Sequence, residues 1–431
     1  MNIPTQRYLN NESEKGINHK TNEIDKLCKV PKLRFPEFRD AGEWEEIEIR
    51  EVFNVTRGEV LAMPKVKEDQ TSEFPYPVYS SQTKNNGLAG YYSDFLYENA
   101  ITWTTDGANA GDVNFRRGKF YCTNVCGVLL NTDGWANPFV AALLNTVTRK
   151  YVSYVGNPKL MNGVMSEIII PIPSLPEQQK IADCLSTLDE LIAAHNQKLA
   201  ALKLHKKGLM QQLFPAEGET VPRLRFPEFR DAGEWEEKQL IQISSRIMDG
   251  THFSPKTKYG SSMYLTSKNV RDGFIDLSNV GFISEDEHRE IYSKCPVRKN
   301  DILLTKDGAN TGNCAINTIE NEFSLLSSVA VIRGNPIIVN SIFLYHSIQS
   351  DYFQRQIFEA ISGQAITRIT LEKINAFSII FPSLPEQQRI ADCLSSLDEL
   401  IAAQSQKIEA LKTHKRGLMQ QLFPATEEVQ G

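Results

Sequence analysis

The stretch SLPEQQKIADCLSTLDELIAA (174–194) opens a 43-residue segment, 174–216, that recurs at 383–425 with 35 positions identical. Ser174-Leu-Pro-Glu177 and Ser383-Leu-Pro-Glu386 have the spacing of a capping box, with Pro in the first turn, where its missing N–H costs nothing. Apolar residues then step 4-3-4-3 through Ile181, Leu185, Leu188, Ile192, Leu199, Leu202, Leu209 and Leu213. The copy repeats this at Ile390, Leu394, Leu397, Ile401, Ile408, Leu411, Leu418 and Leu422. A 3.5-residue period is the seam of a coiled coil, narrower than the stripe of a core helix. Polar residues interrupt it at His195/Gln404 and at Lys206/Lys415, the same places in both copies. Polar seam residues cost stability and fix register, so the two helices are expected to pair with each other rather than pack separately. Phe214-Pro215 and Phe423-Pro424 are expected to end them. From Glu177 to Leu213 a helix runs roughly 55 Å at ~1.5 Å per residue.

A second duplication precedes each of these segments. VPKLRFPEFRDAGEWEE (30–46) returns as VPRLRFPEFRDAGEWEE (221–237), differing only at Lys32/Arg223. Between the duplicated frames lie two stretches, roughly 47–173 and 238–382, that share little beyond TTDGANAGDV (104–113) and TKDGANTGNC (305–314). Runs such as Tyr76–Tyr79, Ile101–Trp103 and Ile302–Thr305 read as strands, Asn85-Asn-Gly87 as a turn, and 139–152 and 341–358 as amphipathic helices. Residues 1–29 are polar and without periodicity, an arm expected to be poorly ordered.

Composition bounds the function. The chain has 431 residues, a net charge of −6 and seven cysteines with no C-x-x-C pair, which argues against a zinc knuckle or disulfide framework and for a reducing compartment. No apolar run approaches a membrane span. There is no phosphate loop, no G-x-S-x-G, no His-Glu-x-x-His and no Asp/Asn-Pro-Pro-aromatic motif, so a catalytic centre built from this chain alone is not expected. The two Asp-Gly-Ala-Asn loops allow two readings. Their glycines could bring backbone N–H groups to a phosphate, or they could form a tight strand-to-strand turn with positive φ.

Two variable domains, each framed by a near-identical repeat and closed by a Leu-Pro-Glu-Gln helix (Leu175–Gln178, Leu384–Gln387), resemble the specificity subunit of a type I DNA restriction-modification system. The resemblance covers about 30–425. It implies an α+β fold of two mixed α/β target-recognition domains separated by two long helices. These helices would pair as an antiparallel coiled coil with pseudo-two-fold symmetry. The implied divisions are an arm at 1–29, recognition domains at 30–173 and 217–382, repeat helices at 174–216 and 383–425, and a tail at 426–431. Each domain would read one half of a bipartite site on double-stranded DNA. The subunit itself would be non-catalytic, with no metal and no cofactor of its own. Two modification (methyltransferase) subunits would dock on the helices and methylate adenine, and restriction subunits would translocate and cut. S-adenosylmethionine, ATP and Mg would belong to those partners, and the complex would be cytoplasmic. The first domain, with Asn86-Gly87 and Ile101-Thr-Trp-Thr-Thr-Asp-Gly, resembles one domain subclass. The second, with Asp249-Gly-Thr-His, resembles another, which implies an asymmetric target.

Charge supports DNA binding weakly: the variable stretches carry net charges of −1 and +1. Basic residues would have to gather on one face. The candidates are Arg57, Lys84, Arg116, Arg117 and Lys119 with Asn109 in the first domain, and Lys256, Lys258, Lys268, Arg271 and Lys306 with Asn310 in the second. Lys198, Lys203, Lys206 and Lys207, with their copies Lys407, Lys412, Lys415 and Arg416, either complement the negative helix end or touch spacer phosphates. The competing class is a coiled-coil adaptor whose two domains bind proteins.

Overall fold

The computed structural model describes residues 29–81, 84–363 and 367–424, Lys84 by its backbone alone. The polar arm up to residue 28 and the tail at 426–431 lie outside the described residues. The chain forms two compact units, residues 1–192 with 410–431, and residues 193–409. Each unit therefore holds one variable domain, part of one long helix and part of the other.

The long helices span Leu175–Leu213 and Leu384–Leu422, and each stops at its Phe-Pro. Pairing is visible inside each unit. In the first, Lys415 Nζ reaches Asp189 Oδ1. In the second, Lys206 Nζ lies 2.6 Å from Asp398 Oδ1, and Gln404 Nε2 donates to His195 Nδ1 and to the His195 carbonyl, both at 2.8 Å. Residue numbers rise on one helix as they fall on the other, so the helices run antiparallel. The seam residues are buried or half-buried along both helices. Every polar interruption of the apolar seam thus meets a polar partner, as it must where an unpaired polar group would be desolvated.

The capping-box expectation needs correction. Both carboxylate oxygens of Glu177 accept from Arg34, at 2.7 Å each, instead of turning back to the Ser174 amide. Glu386 accepts from Arg225 with the same two distances. Arg34 and Arg225 also donate to the carbonyls of Gly42 and Gly233. The duplicated 30–46 segment is therefore a brace: its arginine forks onto the first turn of the helix that closes its domain. The Leu33 amide donates to the Gln421 carbonyl at the end of the other helix, and the Leu224 amide donates to Gln212. Trp44 packs edge-on against Phe139, which meets Phe423; Trp235 and Phe214 meet Phe343 in the second unit.

The domains inside these frames differ. The first carries a six-stranded sheet in the order Asn54–Arg57, Cys126–Leu130, Tyr97–Thr104, Val113–Cys122, Tyr76–Tyr79, Leu88–Tyr92. All its pairs are antiparallel except that between Val113–Cys122 and Tyr76–Tyr79. The helix Pro138–Val147, capped by the Asn137 side chain, covers its core. The second has a four-stranded antiparallel sheet, Ser244–Asp249, Val329–Gly334, Ile302–Thr305, Cys314–Ile316, and a three-stranded one, Gly281–Ile283, Ser262–Leu265, Ser324–Leu325. Where one helix is expected at 341–358, two form, Ser341–Gln349 and Asp351–Ile361. Ser350 breaks them by taking an extended conformation, from which its hydroxyl caps the Phe353 amide.

Candidate functional site

In the second domain, the strands Ser244–Asp249 and Ile302–Thr305 both pair antiparallel with Val329–Gly334, so they run in the same direction and end on one edge. Leu265, the end of a third strand, accepts from Leu326 beside Thr251, on the same side. Loops 250–260, 266–271 and 306–313 therefore open from one edge, and Lys256, Lys258, Lys268, Arg271, Lys306 and Asn310 all lie on them. Lys256, Lys258 and Lys268 are exposed, and Arg271 is held by Asp276 at 3.4 Å. Lys306 is not a surface cation. It is 2% exposed, with its ammonium 3.2 Å from Asp249 and 3.9 Å from Asp307. Arg368 lies 3.4 Å from Asp307 on one side, and the His252 ring 3.5 Å from Asp249 on the other. Lys306 thus fastens the Asp-Gly-Ala-Asn turn to the loop that follows Asp249.

In the first domain the candidates are brought together less. Arg57 ends its strand and donates to the Asn124 carbonyl. Arg117 and Lys119 point to solvent from Val113–Cys122, with Lys119 over the Phe95 ring. Arg116 is 8% exposed. Its guanidinium carbon stands 3.7 Å from the Tyr79 ring centroid, Nε donates to the Thr102 hydroxyl, and one terminal nitrogen donates to the Asn86 carbonyl. Burial pulls this guanidinium below its usual pKa, and no carboxylate is among the groups acting on it. Arg116 sits in a polar cavity of about 210 Å3 with Asn86, Thr102, Asn109, Asn114 and Asn145. Asn109 and Arg116 are thus neighbours on one cavity, a relation the sequence does not announce. The nearest signal was the Asn85-Asn86-Gly87 turn, whose two asparagines both take positive φ.

Four amides of each Asp-Gly-Ala-Asn loop are already engaged by backbone carbonyls. Gly107, Ala110, Gly111 and Asp112 donate to Pro158, Gly107, Thr104 and Asn109 carbonyls, and Gly308, Thr311, Gly312 and Asn313 do the same in the second domain. With positive φ at Gly107, Gly111, Gly308 and Gly312, this is the strand-connecting turn, and these N–H groups are not available to a phosphate.

Of the helix-borne cations, Lys206 and Lys415 pair across the helices, while Lys203 and Lys207 border a groove of about 750 Å3 with Arg223, Glu217 and Arg355. Among the described residues, no group of three or more His, Cys, Asp or Glu side chains is placed to hold a metal ion. The buried thiols are poor nucleophiles, since burial raises Cys126 to about 11 and Cys295 to about 12. No described helix is long and apolar enough to cross a membrane.

Domains with unlike sheets, each held in a copy of one helical frame, define a modular two-domain protein. The profile of the type I restriction modification DNA specificity domain matches twice, over residues 41–204 and 233–413. The chain belongs to this family. It is similar to the MjaVIII type I restriction enzyme specificity subunit of Methanocaldococcus jannaschii, 25% identical over 91% of this chain and 93% of that one. It is also similar to a putative type I specificity subunit of Mycoplasma pneumoniae, 27% identical over 87% and 96%. In fold it resembles the crystal structure of the type I S subunit of M. genitalium, with a TM-score of 0.58, 17% identity, and 92% and 99% of the two chains covered.

Proposed function

We propose that this chain is the sequence-specific DNA-binding subunit of a type I restriction-modification complex, reading a bipartite, asymmetric target with one domain per half-site. The observation that carries it is the repetition of one brace, Arg34 on Glu177 and Arg225 on Glu386, around domains whose sheets differ in strand number and order. A repeated frame offers the same surface twice, to a pair of identical partners. Unlike contents offer two different readers.

The subunit scaffolds two modification subunits on that frame, together with restriction subunits, and performs no chemistry itself. S-adenosylmethionine, ATP and Mg are bound by the partners, in the cytoplasm. Neither domain is strongly basic, so affinity depends on the modification subunits closing around the duplex as well as on the exposed lysines of the second domain. Exchange of residues 47–173 for another such domain tests the reading. Long-read sequencing of N6-methyladenine in cellular DNA should then show one half of the motif replaced, with the other half and the spacer unchanged. A motif altered in both halves, or methylation independent of this chain, refutes it.

A further inference from the structure

Loop 250–260 of the second domain displays two aromatic rings that the described residues leave uncovered. Phe253 is 78% exposed and Tyr259 80%. Single exposed apolar residues are common on surfaces and carry no message. Here, however, the loop that carries them is anchored at both ends and in the middle. A Cβ on Gly250 would stand 2.0 Å from the Leu325 carbonyl oxygen, and one on Gly260 1.9 Å from that of Ile283, so backbone lies against backbone at each end. Between them, the Glu287 carboxylate accepts from the Lys256 amide at 2.7 Å, from the Thr257 amide at 3.0 Å and from the Thr257 hydroxyl. The Thr257 hydroxyl in turn accepts from the Ser284 amide. His252 is tied to Asp249, and through it to Lys306. Such a loop is not free to fold its rings inward, although burying them would be favourable. Anchoring of this kind keeps the rings out.

The surroundings indicate the occupant. Exposed Lys256 and Lys258 lie between the two rings in sequence, and exposed Lys268 is on the next loop of the same edge. Cations beside exposed aromatic rings suit a ligand with phosphates next to flat apolar surfaces, which describes nucleic acid. Apolar side chains inserted at base steps and cations on the flanking phosphates are two separable contributions to binding.

We propose that loop 250–260 is a preformed wedge that enters a groove of duplex DNA at the second half-site, with Phe253 and Tyr259 against bases and Lys256 and Lys258 on the flanking phosphates. The inference rests on the DNA-reading function above and adds which residues touch bases. The test uses the full chain assembled with its modification subunits, and 30-base-pair duplexes bearing the methylated motif either intact or scrambled in the second half.

Phe253→Ala and Tyr259→Ala should each weaken binding to the intact duplex by roughly 5- to 150-fold, the range seen when a base-stacking ring is truncated. Discrimination against the scrambled duplex should shrink, and the dependence on salt should stay unchanged. Phe253→Trp should bind nearly as the native chain does. Lys256→Ala and Lys258→Ala should weaken both duplexes alike and lower the slope of log affinity against log salt by about one each. The wedge is refuted if both alanine variants bind the intact duplex within about twofold of the native complex, or lose affinity equally on both duplexes. It is also refuted if they fail to retain the modification subunits, which would make the rings a protein contact. A native complex that does not distinguish the two duplexes refutes the DNA-reading function instead, and the wedge with it.

Discussion

The brace and the domain it encloses are built on opposite principles. In the two units the braces agree in detail: the same fork at the same 2.7 Å, the same second contact to a glycine carbonyl, and a tryptophan packed on a phenylalanine. They share a defect too, since the indole N–H groups of Trp44 and Trp235 are buried without an acceptor among the described residues. The enclosed sheets agree in almost nothing except the Asp-Gly-Ala-Asn turn. A frame copied together with its imperfection is held to one geometry by something both copies must satisfy. The domains are held only to fit inside it. The brace is therefore where single substitutions should cost most, and cost alike in both units.

Arg34→Met and Arg225→Met make the sharpest test of that equivalence. Each would strand a glutamate that is 1% exposed at its side chain. Removing one partner of a buried pair costs about 3–5 kcal/mol, because the other charge stays desolvated and unpaired. Denaturant unfolding should show losses in this range that agree between the two variants within about 1 kcal/mol. Losses that differ by several-fold would mean that the frames look alike without bearing alike.

Acid should separate the two units. His346 lies fully buried on the helix Ser341–Gln349, and burial, aided by Lys206, pushes it down to about 3. Asp398 Oδ2 stands 3.6 Å from its Nε2 and would favour the proton, but that carboxylate is already engaged by the Lys206 ammonium, and Gln349 faces the other ring nitrogen. Because the folded pKa lies below the unfolded value near 6.5, the unfolded chain binds the extra proton between pH 6.5 and 3. Stability is full above this window and falls as pH drops through it. At pH 5 the loss is about 2 kcal/mol at 1.36 kcal/mol per pKa unit. The helix Pro138–Val147 of the first domain carries no histidine. Hydrogen exchange at pH 5 should therefore protect the first unit better than the second, and His346→Gln should abolish the difference.

What the sequence made legible follows the same division. The period of Ile181 to Leu213 and the coincidence of its polar interruptions were enough to pair the helices, because register is a one-dimensional property. Strands such as Tyr76–Tyr79 and Ile302–Thr305 were legible for the same reason. Glu177 misled because capping spacing is local, whereas its partner Arg34 lies 143 residues away and no local rule weighs such a competitor. Arg116 and Lys306 read as surface cations because charge predicts exposure only until the fold supplies compensation. A ring and two oxygens supply it for Arg116, and Asp249 for Lys306. The loop edge of the second domain could not be foreseen, since it depends on three strands distant in sequence ending together.

The smallest effect is expected where the two repeats themselves disagree, at His195 and Gln404. Gln404 Nε2 donates to both the ring and the carbonyl of His195, so the pair fills one position of the seam with one donor and two acceptors. Gln404→Leu should cost about 1 kcal/mol, near the middle of the range for a hydrogen bond, because half-buried His195 can turn to water. Adding His195→Leu should recover most of that loss, since two apolar residues then face each other and the residue-195 carbonyl, inside its helix, keeps the bond from the amide four residues on. A double-mutant cycle on the full chain would then show a coupling of similar size and favourable sign. The substituted pair would also make the two repeats alike at the one seam position where they differ in kind. A helix pair with leucine at both places has less to fix its register. The double variant should therefore regain stability while its hydrogen-exchange protection near residues 195 and 404 becomes less uniform. A cycle with no coupling would instead make the polar break a tolerated defect, and leave register to the braces at the helix ends.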